Sequence, residues 1–191
     1  MDSKLRFDKH ISSMVSKAHA RAALIRRCFR SKDRNLLFRA FTVFVRPVLE
    51  YCSSVWNLHY HCDIERIESV QRRFSKYIGG LSYVTYSERL NILHADSLEL
   101  RRLKSDLVTI YCSLHGLNAL DYSDFVTLCN SSTRGHYSKQ FSRVNSRAFS
   151  FANRCVDVRN SLDNRIVSAP SLYSFKARLN CVDFSKFLCV T

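Results

Sequence analysis

The chain has 191 residues, of which 46% are hydrophobic and 24% are charged, enough for one ordinary domain or two small ones with a packed core. Its four glycines and two prolines amount to about a quarter of average usage. Collagen, many-turned β-sandwiches and glycine-rich nucleotide loops need these residues, whereas helices joined by short loops do not. The composition therefore predicts an all-α protein.

The excess positive charge is concentrated at the two ends of the chain. Thirty lysines and arginines against sixteen acidic residues give a net charge of +14, with +6 in residues 1–30 and +5 in residues 121–191. Clustered positive charge attracts phosphate backbones through counterion release without reading their sequence. We therefore expect a nucleic-acid partner, and an acidic membrane surface is the alternative that the charge leaves open.

The cysteines and the apolar segments bear on the compartment. The start of the chain is rich in Lys, Arg and Asp and has no apolar signal segment, so the eight cysteines are interpreted as reduced thiols. The most apolar stretch, residues 36–49, is short and is interrupted by Arg39 and Arg46, so no membrane span is expected. These features favour an intracellular protein, cytoplasmic or nuclear.

Apolar residues at helical spacing predict a first helix that is both amphipathic and basic. Asp8 is expected to cap it, and its core-facing stripe is Ile11, Met14, Val15, Ala18, Ala22 and Ile25. Its other faces carry Lys17, Arg21, Arg26 and Arg27, and Arg30 follows. Two interpretations stay open for these cations: a solvated outer face, or contact with phosphates.

Three further long helices and one short helix are predicted up to Gly116. The second, opened by Ser31 or Asp33, should be the most buried element and should break at Pro47. The third is expected to be capped by Asp63 and ended by Gly79 and Gly80. Its cations are interpreted as solvated surface partly offset by two acids, and the residues concerned are Arg66, Arg72, Arg73 and Lys76 with Glu65 and Glu68.

Thr85 and Glu88 have capping-box spacing and predict a short helix, and Asp96 or Ser97 is expected to start the fourth long one. Residues 1–116 therefore form a predicted helical domain. Periodicity fades over residues 117–148, which are interpreted as a linker that could hold one short strand. Residues 149–191 are predicted to be a smaller, mostly helical segment, with one helix over 149–162 and another capped by Ser171.

No catalytic constellation is found in the sequence. Polymerases and nucleases need carboxylates that converge on two divalent ions, and the chain contains no adjacent acidic pair. It also lacks a P-loop, a G-x-S-x-G and an H-E-x-x-H motif. We therefore expect no enzymatic activity and no cofactor.

One cluster has the composition of a metal site. Cys52, His59, His61 and Cys62 are soft ligands within eleven residues, and zinc would suit them chemically. Their spacing, C-x6-H-x-H-C, matches no zinc finger, and joint ligation by the adjacent His61 and Cys62 is awkward. The expectation is no metal, with zinc as the alternative.

Eight segments of the chain, taken together and in order, resemble the C-terminal part of jockey-like reverse transcriptases, the RNA-directed DNA polymerases of non-LTR (LINE-type) retrotransposons. The most specific feature is VRPVLEY followed by Trp56 and then VQRRF. The segments are DSKLRFDKHI at 2–11, ALIRRCFR at 23–30, VRPVLEYCSSVWN at 45–57, DIERIESVQRRFSKYIGGL at 63–81, SERL at 87–90, LELRRLKSDLVTIYCSLHG at 98–116, TRGH at 133–136 and SAPSLYSFKARL at 168–179.

The resemblance implies a helical thumb and a connecting C-terminal domain, with the catalytic palm lying upstream of the matched region. The chain is then expected to be a truncated copy or a partial gene product that grips template RNA or an RNA–DNA hybrid and cannot polymerise alone. The expected contacts are Lys17, Arg21, Arg26, Arg27 and Arg30, followed by Arg134, Lys139, Arg143 and Arg147. The alternatives are a helical interaction module that docks onto a palm domain or another chain, and a non-functional remnant.

Three positions depart from the pattern of these reverse transcriptases, which usually have proline, tryptophan and proline where Ser54, Arg159 and Asp163 stand. Replacing a buried aromatic residue by a charged one typically costs a few kcal/mol (about 3 to 5 for truncation alone). Arg159 is therefore expected to weaken the packing of the C-terminal segment.

Overall fold

The computed structural model describes residues 7–56, 60–121, 127–128, 137–139, 143 and 150–189. Within these residues the regular secondary structure is helical, apart from one antiparallel pair of two-residue strands. The predicted all-α class is therefore confirmed. No helix in this described part combines the length and the apolar character needed to cross a membrane.

The helices of the first half follow the predicted order with small shifts in their ends. They are α1 (Asp8–Cys28), α2 (Arg34–Phe44), α3 (Arg46–Glu50), α4 (Ser53–Trp56), α5 (His61–Tyr77), α6 (Tyr86–Ile92) and α7 (Leu98–Leu114).

The second half contains the strands and three shorter helices. Strand β1 (Thr127–Leu128) pairs with β2 (Tyr137–Ser138), and both lie within the predicted linker. The helices are α8 (Phe151–Ser161), α9 (Asn164–Val167) and α10 (Leu172–Leu179), followed by a 3-10 turn at Ser185–Phe187.

The chain divides into two compact units. Unit 1 comprises residues 1–101 with 188–191, and unit 2 comprises residues 102–187. This division falls inside α7, whereas the predicted domains 1–116, 117–148 and 149–191 follow the fading of helical periodicity. Those limits stay a prediction.

Most of the predicted helix starts are set by local side-chain caps. Asp33 accepts a hydrogen bond from the backbone nitrogen of Asn35, and Ser171 accepts one from Ser174. At α6, Thr85 and Glu88 form a complete capping box, in which each side chain accepts from the other residue's backbone nitrogen. These three predictions are confirmed, because each cap depends only on residues within one turn.

Two predicted caps are wrong. Asp8 is the first residue of α1 and makes no side-chain cap, although its charge suits the positive end of the helix. Asp63 lies inside the first turn of α5, which begins at His61, and its buried carboxylate pairs with Arg66 at 3.0 Å. Because the Asp63 carboxylate pairs with Arg66, it does not cap the helix.

The break at Pro47 is confirmed, because α2 ends at Phe44 and α3 begins at Arg46, with the proline in its first turn. The expectation that this second helix is the most buried element is wrong. α5 buries eight residues, whereas α2 buries three and leaves Val43 and Phe44 more than half exposed.

The core of unit 1 lies where α1, α2, α3 and α5 pack together. Five of the six predicted stripe residues of α1 are buried, namely Ile11, Met14, Ala18, Ala22 and Ile25. They share the core with Ile67, Val70 and Phe74 of α5, and the Phe74 ring stacks on Phe41 of α2 at 4.8 Å between centroids. This packing fixes the buried face of α1 and leaves its basic faces outside.

Unit 2 is held by polar contacts as well as by an apolar core. The buried carboxylate of Asp106 accepts two hydrogen bonds from Arg154, at 2.9 and 3.0 Å. Asn160 of α8 both accepts from the backbone nitrogen and donates to the backbone oxygen of Tyr137, so that its amide binds the edge of β2. These contacts connect α8 to α7 and to the strand pair.

Arg159 lies in this unit as a half-buried residue, with its guanidinium 4.5 Å from the centroid of the Tyr137 ring. It also borders a cavity of about 230 Å³ that is lined by apolar residues such as Leu107, Ile110 and Phe175. The Arg159 guanidinium therefore packs on the face of the Tyr137 ring, and its side chain does not fill the adjoining cavity.

Candidate nucleic-acid interface

The basic residues predicted on the first helix are all exposed. Lys17, Arg21, Arg26 and Arg27 lie on α1 outside its buried stripe, and Arg30 lies two residues beyond the end of the helix. The stripe is held in the core, so the helix cannot rotate to bury these cations. Asp8, at the start of the helix, is its single acidic residue.

These five cations differ in how they are held. Arg21 donates to the backbone oxygen of Phe44 at 3.1 Å, which satisfies a carbonyl at the end of α2. The Arg26 guanidinium lies 5.3 Å from the centroid of the Tyr77 ring of α5. Lys17, Arg27 and Arg30 make no side-chain hydrogen bond or ion pair within the described part of the chain. The last three are therefore the cations most available to a ligand.

The basic residues of α5 are divided between neutralised and unneutralised ones. Arg72 pairs with Glu65 at 2.9 Å, as the sequence predicts. Arg66 pairs with Asp63 and also donates to the Ser12 hydroxyl of α1 at 2.7 Å. Arg73 is exposed and has no carboxylate partner within the described residues. Arg73 therefore fits the interpretation of the α5 cations as solvated surface, and no acidic residue within the described part of the chain offsets its charge.

Glu68, expected to offset these arginines, is fully buried. Its carboxylate accepts hydrogen bonds from the Tyr86 hydroxyl and from the backbone nitrogens of Leu98 and Glu99, at the start of α7. Burial and the adjacent negative charge of Glu68 raise the pKa of Tyr86. The acid therefore stabilises the junction of three helices and leaves the outer surface of α5 more positive than its composition indicates.

The pKa of His19 on α1 indicates which arginines lie near it. Partial burial lowers its pKa, and the charges of Arg73 and then Arg26 lower it further. One arginine comes from α5 and the other from α1, so the two helices contribute cations to the same surface. We name this surface the basic seam and define it by Ser12, His19 and Arg26 of α1 and Arg66, Arg73 and Tyr77 of α5.

The spacing of residues in the sequence carries a partial signal for the seam. Ser12, His19 and Arg26 recur every seven residues, as do Arg66 and Arg73, so each set lies along one stripe of its helix. The pattern alone does not say that the two stripes adjoin. That requires the pairing of α1 with α5, which is a long-range contact.

The predicted contacts of the second half are only partly described. Lys139 is exposed and pairs with Asp157 of α8, so its charge is locally offset. Arg143 is exposed. Arg134 and Arg147 lie outside the described residues. The cations of this half are therefore a weaker basis for a site than those of unit 1.

The buried carboxylates of the described residues have structural partners. Besides Glu68, Asp63 and Asp106, which accept from neighbouring groups, Glu99 accepts from the backbone nitrogen of Cys189 at 2.9 Å. No three His, Cys, Asp or Glu side chains among the described residues converge as metal ligands. Cys52, His61 and Cys62 are exposed, and His59 lies outside the described residues.

Comparison with known proteins finds a distant relative. A protein of Caenorhabditis elegans, described as uncharacterized, is 29% identical over 135 residues, which span 69% of this chain and 67% of the relative. No family model matches the chain. No solved structure matches it.

Proposed function

We propose that the chain is a nucleic-acid-gripping module that binds template RNA or an RNA–DNA hybrid along its phosphate backbone. In this proposal it corresponds to the thumb and C-terminal region of a non-LTR reverse transcriptase, lacks catalytic carboxylates and does not polymerise. The observation that carries the proposal is the basic surface of α1 and of the residues just after it, where Lys17, Arg27 and Arg30 are exposed and unpaired within the described residues.

The geometry of α1 suits a backbone ligand. Lys17 and Arg27 are ten residues apart, which corresponds to about 15 Å along a helix axis. Cations this far apart on one helix can contact different phosphates of a nucleic-acid strand, and binding releases the counterions condensed there. Such contacts set position and orientation without reading bases, so weak sequence preference follows.

A second candidate function is docking of the helices onto another protein domain. The observation in its favour is exposed apolar surface in unit 1, where Val43, Phe44, Tyr51 and Val55 are each more than half exposed. On this alternative, the cations keep the protein soluble and orient it, and a polyanion is not the specific ligand.

The test is the salt dependence of binding, measured by fluorescence anisotropy with two unrelated RNA sequences and an RNA–DNA hybrid. We expect log affinity to fall linearly with log salt, with a slope of about −3 for four phosphate contacts. The two RNA sequences should bind with similar affinity. A flat salt dependence, or strong discrimination between the sequences, would contradict backbone gripping and favour the docking alternative.

A further inference from the structure

The basic seam is built by two helices that run side by side in the same direction. Near the start of both, Arg66 of α5 donates to Ser12 of α1 at 2.7 Å. Near the end of both, Arg26 of α1 lies on the Tyr77 ring of α5 at 5.3 Å. His19 falls midway between Ser12 and Arg26 in the sequence, and the charge of Arg73 acts on it from α5.

The charge in the middle of the seam is not balanced. At the start of the seam, Asp63 neutralises Arg66. Arg26 and Arg73 have no carboxylate partner in the described part of the chain, although both act on the same imidazole. Like charges held near one another repel, and an anion between them relieves that repulsion. Arg26 is also held in place by Tyr77, so part of the ordering that an anion site needs is already present.

We propose, resting on the function proposed above, that Arg26 and Arg73 bind one backbone phosphate at the centre of the basic seam and that His19 takes up a proton as this phosphate binds. The ligand group is a phosphodiester of RNA or of an RNA–DNA hybrid. The site uses Arg73 of α5, which the basic residues of α1 alone do not supply.

Proton uptake follows from the sign of the charges around the imidazole. In the free protein, burial and the two arginines hold the pKa of His19 below its ordinary value of 6.5. A phosphate between the arginines offsets their positive field and favours the charged imidazolium, so the pKa rises on binding. By linkage, a ligand that promotes protonation binds more tightly as the pH falls.

Most charged groups on the other helices that pack against α1 are engaged elsewhere. The exception is Arg39 of α2, which is exposed but is not among the charges that lower the pKa of His19. On α3, Glu50 pairs with Arg101, and the pKa of Arg46 is lowered by burial and by Arg101. On α2, Arg34 donates to the backbone oxygen of Gly79 at 3.2 Å. Arg26 and Arg73 are therefore the charges that govern His19.

The experiment compares hybrid binding by the full chain between pH 7.5 and pH 5.5 at fixed salt. One linked proton raises the affinity by at most about tenfold per pH unit while His19 titrates. We expect H19Q to lose most of the gain in affinity that the original chain shows between pH 7.5 and pH 5.5. H94N is the matched control, because His94 is exposed after α6 and its left-handed backbone, with φ of 48°, accepts asparagine.

A second variant and a direct readout guard against misfolding of H19Q. R73Q removes an exposed cation, so it should raise the pKa of His19 in the free protein and weaken binding several-fold. Nuclear magnetic resonance titration of the His19 ring, with and without the hybrid, should show a higher pKa in the complex.

Binding with an unchanged pH slope in H19Q, or an unshifted His19 pKa in the complex, would overturn this proposal while leaving the proposed function intact. Absence of binding by the original chain at every pH would overturn both.

Discussion

The carboxylate of Glu68 in α5 accepts a hydrogen bond of 3.1 Å from the backbone nitrogen of Leu98, the first residue of α7. A second bond comes from the nitrogen of Glu99 at 3.3 Å, and the Tyr86 hydroxyl of α6 supplies a third. The first turn of a helix has unpaired N–H groups and a partial positive charge. A residue distant in sequence therefore caps α7 and joins three helices.

Replacing Glu68 by alanine should destabilise the protein strongly. The change leaves buried N–H groups without acceptors, and each such loss costs about 1–3 kcal/mol, so we expect the free energy of unfolding to fall by about 2–4 kcal/mol. Urea denaturation followed by circular dichroism measures it. The matched control is E65A on the same helix, where the partly exposed pair with Arg72 should contribute less than about 1 kcal/mol. Equal losses in the two variants would contradict the cap.

Such distant contacts explain which parts of the fold the sequence predicts. The capping box of Thr85 and Glu88 and the cap at Asp33 involve neighbours within one turn, so their spacing in the sequence is sufficient. From its spacing in the sequence, Glu68 is interpreted as a surface acid. The groups that donate hydrogen bonds to it lie 18 to 31 residues further along the chain, beyond the reach of any local pattern. The predicted cap at Asp63 fails for a related reason, since Arg66 engages its carboxylate.

The candidate site likewise has one part that the sequence predicts and another that depends on long-range contacts. The basic faces of α1 follow from helical periodicity, because burial of its apolar stripe leaves Lys17 and Arg27 outside. The contribution of Arg73 depends on the pairing of α1 with α5, and so does the separation of neutralised arginines from unneutralised ones. Periodicity places a residue on a face of its own helix, but it does not identify the helix that this face meets.

Arg159→Trp should stabilise unit 2. The indole can replace the guanidinium on the Tyr137 ring and fill part of the adjoining cavity of about 230 Å³, and cavity filling typically adds about 0.5–2 kcal/mol. Thermal unfolding should show a rise of a few degrees (about 1 kcal/mol). Arg159→Met is the control that distinguishes filling of the cavity from loss of the positive charge. It removes the cation–π contact with Tyr137 without adding an aromatic ring. A tryptophan variant less stable than the methionine variant would show that the cavity does not admit the indole.

The pair of Asp106 and Arg154 should protect Cys155 from thiol reagents. Cys155 is buried, and burial together with the charge of Asp106 raises the pKa of its thiol, so little thiolate forms. At pH 8 we expect the exposed Cys28 and Cys181 to be alkylated promptly and Cys155 only on unfolding, as read by mass spectrometry.

Asp106→Asn leaves Arg154 without its anionic partner, so unit 2 should lose about 3–5 kcal/mol and Cys155 should label faster. Lys139→Ala breaks the exposed pair with Asp157 and serves as the control, with an expected loss below about 1 kcal/mol. Prompt labelling of Cys155 in the original chain would refute its burial.

His19 should make the protein less stable in acid. Its pKa is lowered in the folded state, so below pH 6.5 the unfolded chain binds more protons than the folded one. The free energy of unfolding therefore rises with pH across this window and falls as the pH drops from 7.5 towards the lowered pKa. Comparing denaturation curves of the original chain and His19→Gln isolates the effect from other histidines. We expect the original chain to lose stability relative to the variant on acidification, and a constant difference would contradict the lowered pKa.

Charge reversal on α1 should separate binding from folding. Lys17, Arg27 and Arg30 are exposed without hydrogen bonds or ion pairs to other described residues, so replacing all three by glutamate should change stability by only about 0.5 kcal/mol each. Arg21 and Arg26 are left in place, because their interactions with Phe44 and Tyr77 would mix the two effects. Because the variant no longer neutralises three phosphates, the salt slope should flatten by about 2–3 and affinity should fall for every sequence alike.

The control for this triple variant reverses Arg165, Lys176 and Lys186, exposed cations of unit 2 that lie outside the predicted contacts. Both variants lower the net charge equally, so a general loss of electrostatic attraction affects them to the same extent. We expect the α1 variant to lose affinity at least tenfold more than the control in anisotropy measurements at low salt. Equal losses would mean that net charge, and not the face of α1, determines binding, whereas an unfolded α1 variant would mean that these side chains stabilise the helix itself.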